Sequence, residues 1–176
     1  MIAFTGARTA SERMRLLGIY LNDHLAGSTA GLDLARRLAA EHRGTTPGRA
    51  LAAFAREVAE DRAALLAIMC TLGIPVSRLK ACMGWITEKL SRLKLNGRLL
   101  GRSPLSSLME LESMRLGVEG KVAGWRTLRV VAASDHRLDP RQLEILLTRG
   151  RGQAELLEGL HATAAHDIFT GGRAGT

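Results

Sequence analysis

LAAFAREVAEDRAALLAIMCTLGIP, residues 51–75, is the stretch that decides the fold. Leu51, Phe54, Val58, Leu65, Ile68 and Leu72 recur through it at helical spacing. With Asp61 they form an unbroken alternation of three- and four-residue steps. That spacing puts them on one stripe of a helix, the pattern of a bundle seam, with one acid inside it. Gly73-Ile74-Pro75 ends the pattern as a left-handed glycine cap followed by a proline should.

The same grammar extends outward in both directions. Thr9-x-x-Glu12 is a capping box, and a helical pattern runs from it to about His42, where Gly44 stops it. Thr46-Pro47 starts the helix that holds the seam. Ser77 caps a shorter helix to about Leu95, closed by Asn96-Gly97. Ser103-Pro104 opens a long helix to about Ala133, and Asp139-Pro140 opens the last, to about Ile168. The later seams read Leu111, Met114, Val118, Val122, Trp125, Leu128, and Leu143, Leu146, Gly150, Gln153, Leu157, Leu160, Ala164. The one hint of strand-like alternation is LRVVAA near residue 130. The expectation is a single all-α domain over residues 1–168 with a disordered tail over 169–176. Two helical hairpins joined by a connection of about 30 residues make an antiparallel four-helix bundle, with the short helix in the crossover.

Composition agrees. The chain has 176 residues, 46% of them apolar but only 3% aromatic, so aliphatic side chains must build the core. No apolar run is long enough to span a membrane. The start, MIAFTGARTASER, lacks the basic and apolar regions of a secretory signal, so a cytoplasmic protein is expected. Cys70 and Cys82 belong to no zinc-ligand spacing and are read as buried, reduced thiols. There is no GxSxG, phosphate loop or dinucleotide fingerprint, and no catalytic residue is assigned.

Several residues sit oddly in such a bundle. Gly27, Gly31, Gly117, Gly120, Gly124, Gly150 and Gly152 lie inside helices, which suggests close backbone contact or space for a ligand. Asp23 shares a helical face with Leu16, Ile19 and Tyr20, and His24 shares one with Leu17, Leu21 and Gly31. Asp61 breaks the seam, with Glu57 one turn before it. In the fourth segment Glu112 and Glu119 flank the core, and Glu158 and His161 lie beside Leu157. Inward charges need a partner, a metal or water. Arg62, Arg115 and Arg126 are the available cations, and Arg115 lies one turn from both Glu112 and Glu119.

A four-helix chain with a long crossover, an acid midway along its first helix and Glu158-x-x-His161 in its last resembles the ferritin-like superfamily. The resemblance implies a carboxylate on the first and third bundle helices and Glu-x-x-His on the second and fourth, gripping iron or manganese. Asp23 would be the first carboxylate, Glu112 or Glu119 the third, and Glu57 the start of the second motif. Position 60 departs from it, being Glu60 rather than histidine. The segment YLNDHLAG, residues 20–27, also resembles one in uncharacterised helical proteins of high-GC bacteria.

The charge is uneven. The chain carries +8, and residues 76–103 hold three quarters of it. Residues 65–94 are similar to a helix-turn-helix, with Arg78, Lys80, Lys89, Arg92, Lys94, Arg98 and Arg102 available to phosphates or an acidic partner. Met69 stands where that motif takes a small residue.

Three functions follow as expectations. The first is protein–protein association on a ferritin-like scaffold without a complete di-metal site, including homo-oligomerisation, with no cofactor. The second is a metal site of Asp23, His24, Glu57, Asp61, Glu119, Glu158 and His161. The third is nucleic-acid binding through residues 76–102.

Overall fold

The structure, a computed structural model, describes residues 9–77 and 104–171. Among them are four α-helices and no strand: α1 (Ala10–Glu41), α2 (Thr46–Thr71), α3 (Pro104–Ala132) and α4 (Pro140–Phe169). The short helix expected after Ser77 and the seven basic residues proposed for phosphate contact lie outside the described residues. Among the described residues no helix is long and apolar enough to cross a membrane.

The expected starts and stops are built from side chains. Thr9 Oγ1 accepts a hydrogen bond from the Glu12 amide at 3.1 Å, and Asp139 Oδ1 accepts one from the Arg141 amide at 2.8 Å. Such caps each contribute about 1 kcal/mol. At the end of α2 the Ile74 amide reaches back to the Met69 carbonyl and the Gly73 amide to the Cys70 carbonyl, with Gly73 at φ +68°. This is a Schellman motif, which only a residue tolerant of the left-handed region makes cheaply.

The turn between α1 and α2 is tighter than its sequence suggests. The Thr45 amide and hydroxyl both donate to the His42 carbonyl, and Thr45 Oγ1 accepts from the Gly48 amide. A Cβ on Gly48 would lie 1.9 Å from the His42 carbonyl oxygen. Backbone stands there, so nothing flexible can yield.

One apolar cluster joins all four helices. Every α2 seam residue is buried, Asp61 included, and so are all six positions of the α3 seam. In α4, Leu143, Leu146, Gly150, Gln153 and Leu157 are buried, while Leu160 and Ala164 are half-buried. Burying an aliphatic side chain contributes about 1.5–3 kcal/mol, so these stripes hold the helices together. The helices meet unequally. α1 packs along α2 and α3 along α4; α1 also meets α3, but α2 touches α4 sparingly. At one end, Arg137 of the α3–α4 turn donates to the Leu72 carbonyl at 3.1 Å and ties that turn to the last turn of α2.

Four expectations need correction. Asp23 is exposed, as are Leu16 and Ile19, because the inner stripe of α1 is Leu21, Leu25, Leu32, Ala35 and Leu38. Cys70 is exposed rather than buried, on the outer side of α2. Residues 128–132 of LRVVAA are helical, and Phe169 belongs to α4 rather than to a tail.

The glycines make a paired test in urea unfolding. Gly48→Ala is expected to destabilise the fold by about 3 kcal/mol through overpacking against a carbonyl. Gly152→Ala, in α4 with nothing within 4 Å of a new Cβ, should stabilise it by up to about 1 kcal/mol.

Candidate functional site

The polar residues inside this aliphatic bundle converge on one point. Asp61, in the α2 seam, is 2% exposed. Lys121 of α3 donates to its Oδ2 at 2.5 Å, and the Arg149 guanidinium of α4 pairs with its Oδ1. Gln153, also 2% exposed, ties the cluster together. Its Nε2 donates to Glu57 at 2.9 Å and to Asp61 at 3.2 Å, and its Oε1 accepts from Lys121. Arg149 also pairs with Glu60 at 2.7 Å, toward solvent. Three helices therefore each send a polar residue from an inner stripe into one layer.

The electrostatics follow from the packing. Burial pushes the Lys121 ammonium below the usual lysine range, and the charge and hydrogen bond of Asp61 pull it back. Two cations answer the deeply buried Asp61, and Glu57 balances the excess. A layer of this kind is nearly neutral, and its arms point at one another.

The residues expected to hold a metal are distributed otherwise. Glu57 and Asp61 come together, with Gln153 between them. Glu158 pairs with Arg115 at 3.0 Å, and His161 meets Glu112 at 3.0 Å, both across the α3–α4 groove and away from Asp61. Arg115 is thus taken by Glu158, and the ladder expected among Glu112, Arg115 and Glu119 does not form. Glu119 and Asp23 are exposed. Among the described residues no three His, Cys, Asp or Glu side chains are grouped to hold a metal ion.

His24 is placed by a glycine. Its ring stacks edge-on to Tyr20 with centroids 4.4 Å apart, and a Cβ on Gly124 would lie 3.2 Å from it. Burial lowers the His24 pKa below the usual histidine value, with neighbouring Asp23 opposing. Of the other mid-helix glycines, a Cβ on Gly150 would fall 2.7 Å from Val122, and one on Gly31 3.8 Å from Met114. Gly27, Gly117, Gly120 and Gly152 have nothing within 4 Å of that position. Close packing therefore explains part of the set. A surface cleft of about 60 Å³ beside Ile68, Arg137 and Leu143 suits water rather than an organic ligand. Trp125 is core packing at 3% exposure.

Two members of the charged layer escaped the sequence reading, Lys121 and Arg149. The signal for Lys121 was present: Leu111, Met114, Val118, Lys121, Trp125 and Leu128 alternate three and four as regularly as the α2 seam does. Arg149 has no such signature, since it reaches in from beside Gly150.

No protein-family model, curated protein or solved structure matches this chain.

Asp61→Ala leaves two cations without their acid and should destabilise the fold by about 3–5 kcal/mol. Replacing Asp61, Lys121, Arg149 and Gln153 together by apolar residues of similar size should recover most of that loss, read by urea unfolding. His24 gives a pH test. As the pH falls through about 6.5 the unfolded chain takes up a proton more readily than the folded one, so stability is lost on acidification. Melting of His24→Gln should depend less on pH between about 7.5 and 5.5 than melting of the parent.

Proposed function

We propose that this chain is an antiparallel bundle of ferritin-like connectivity that works by protein–protein association, with a salt-bridged layer at its centre in place of a metal centre. The observation that carries the reading is the pairing of Asp61 with Lys121 and Arg149. In a metal-binding bundle the inward carboxylates are neutralised by the bound ion. Here a lysine and an arginine neutralise the deeply buried Asp61 carboxylate, and a glutamine occupies the matching seam of α4. Lysine and arginine add positive charge where a cation would have to enter, and neither ligates a hard metal at neutral pH. The donor set does not fit iron or manganese. Glu158 and His161, the one intact Glu-x-x-His pair, are engaged with Arg115 and Glu112 instead.

The connectivity is supported by register. Along α1, Gly18 lies against Ile74, just past the end of α2, and Thr29 accepts from Arg62 within it. Those between α3 and α4 join Glu112 to His161, Lys121 to Gln153 and Arg129 to Glu144. Tyr20 meets Thr127, and Arg37 meets Glu110. In each series one number rises as the other falls, as in antiparallel neighbours. α2 and α3 then run the same way, which a long crossover between them permits. Such a bundle offers flat helical faces. Among the described residues, Leu116, Val130, Ile145 and Phe169, each more than 60% exposed, are the most exposed large apolar side chains on those faces.

Elemental analysis after expression in iron- and manganese-supplemented medium should find far less than one equivalent of either, unchanged in Asp61→Asn. A stoichiometric metal that this substitution removes would overturn the reading. Sedimentation should find a species larger than the 19.0 kDa chain.

A further inference from the structure

We propose that two copies of this chain pair through the outer face of α3, antiparallel about a two-fold axis at Ala123. The proposal rests on the association reading and names its surface and partner.

The inner stripe of α3 is spent on the core. On the opposite side lie Leu116, Ala123 and Val130, spaced seven residues apart, with Leu116 64% and Val130 74% exposed. Single exposed aliphatic residues are ordinary. A seven-residue repeat on the solvent side of a helix whose core stripe is already buried is the pattern of a second seam. Ala123 is small, and neighbouring Gly120 has no Cβ, so a second helix can come close at the middle of this face.

Charge selects the partner and its direction. Glu119 and Arg126 flank the apolar line on one side, one turn either way from Ala123. Both are exposed, and neither forms an ion pair among the described residues. Laid antiparallel with Ala123 on Ala123, the face matches itself. Leu116 meets the partner's Val130, and Glu119 meets the partner's Arg126. The two-fold repeats each contact, so both charges on both copies are answered. A parallel pairing puts the two charged flanks on opposite sides of the contact, so Glu119 and Arg126 do not reach the partner's opposite charges. A self-complementary face fits a second copy of this chain, and it fits it in one orientation.

The experiment is charge reversal on the full chain, read by sedimentation over a range of concentrations, with circular-dichroism melting to show that each variant is folded. The parent is expected to be a dimer. Glu119→Arg and Arg126→Glu should each weaken it by about tenfold or more, since each sets like charges in contact twice per dimer. Mixing the two single variants should restore pairing, because every charge in the mixed dimer then meets its opposite. Glu119→Arg combined with Arg126→Glu in one chain should restore it as well. Leu116→Lys with Val130→Lys should give a folded monomer. A parent that stays monomeric at all concentrations would overturn both this proposal and self-association. A dimer indifferent to all these changes would overturn the α3 face alone, and point to another face as the one that pairs.

Discussion

The buried carboxylate of Asp61 is the constraint on which the rest of this bundle depends. Aliphatic stripes attract without direction, so a helix lined with leucine can slide or turn against its neighbours at small penalty. A carboxylate that is 2% exposed cannot. It is tolerable only where Lys121 and Arg149 reach it, and that fixes α2 against α3 and α4 to within a hydrogen bond. Ion pairs of this kind contribute little net stability, since desolvation takes most of what attraction returns. Their effect is on register: among competing packings of the same stripes, the one that joins these groups avoids a stranded charge. The sparse contact between α2 and α4 is consistent with this, because long polar arms span the gap there rather than interlocked aliphatic side chains.

The remaining contacts serve closeness where the charged layer serves alignment. Gly124 lets the His24 ring lie against α3, and Gly150 admits Val122 between α3 and α4. Gly48 brings the start of α2 under the last carbonyls of α1. Each trades helix propensity for approach. Past the other end of α2, Asn22 donates to the Pro75 carbonyl and accepts from the Ser77 amide, so the chain leaving α2 is held against α1.

Much of this was legible in the sequence, and the exceptions have physical causes. Helix ends could be read because caps are local chemistry, written in Thr9, Gly73 and Asp139. The α2 seam could be read because one alternation fits it. In α3, Val122 and Lys121 both continue the stripe by a permitted step, and hydrophobicity favours the valine; the helix buries one and partly buries the other. In α4 the phase set by Gln153 and Leu157 turns Glu158 about 100° away from the core, which spacing within Glu-x-x-His alone does not reveal. Asp23 was misread because the apolar Leu16 and Ile19 that share its face are themselves exposed. Pairing across helices depends on rotation and tilt, and a linear pattern carries neither.

The unequal meeting of the helices also bears on the order in which the chain folds. α1 with α2 and α3 with α4 are neighbours in sequence, each pair closed by a few residues, and these are the extensive contacts. Contacts between the two helix pairs are fewer and join residues 60 to 107 positions apart, so their loop-closure entropy is larger. Local contacts form quickly and distant ones late. Each helix pair can therefore zip on its own, and the slow event is the meeting of the two, when Lys121 and Arg149 must find Asp61 before water is squeezed out around it.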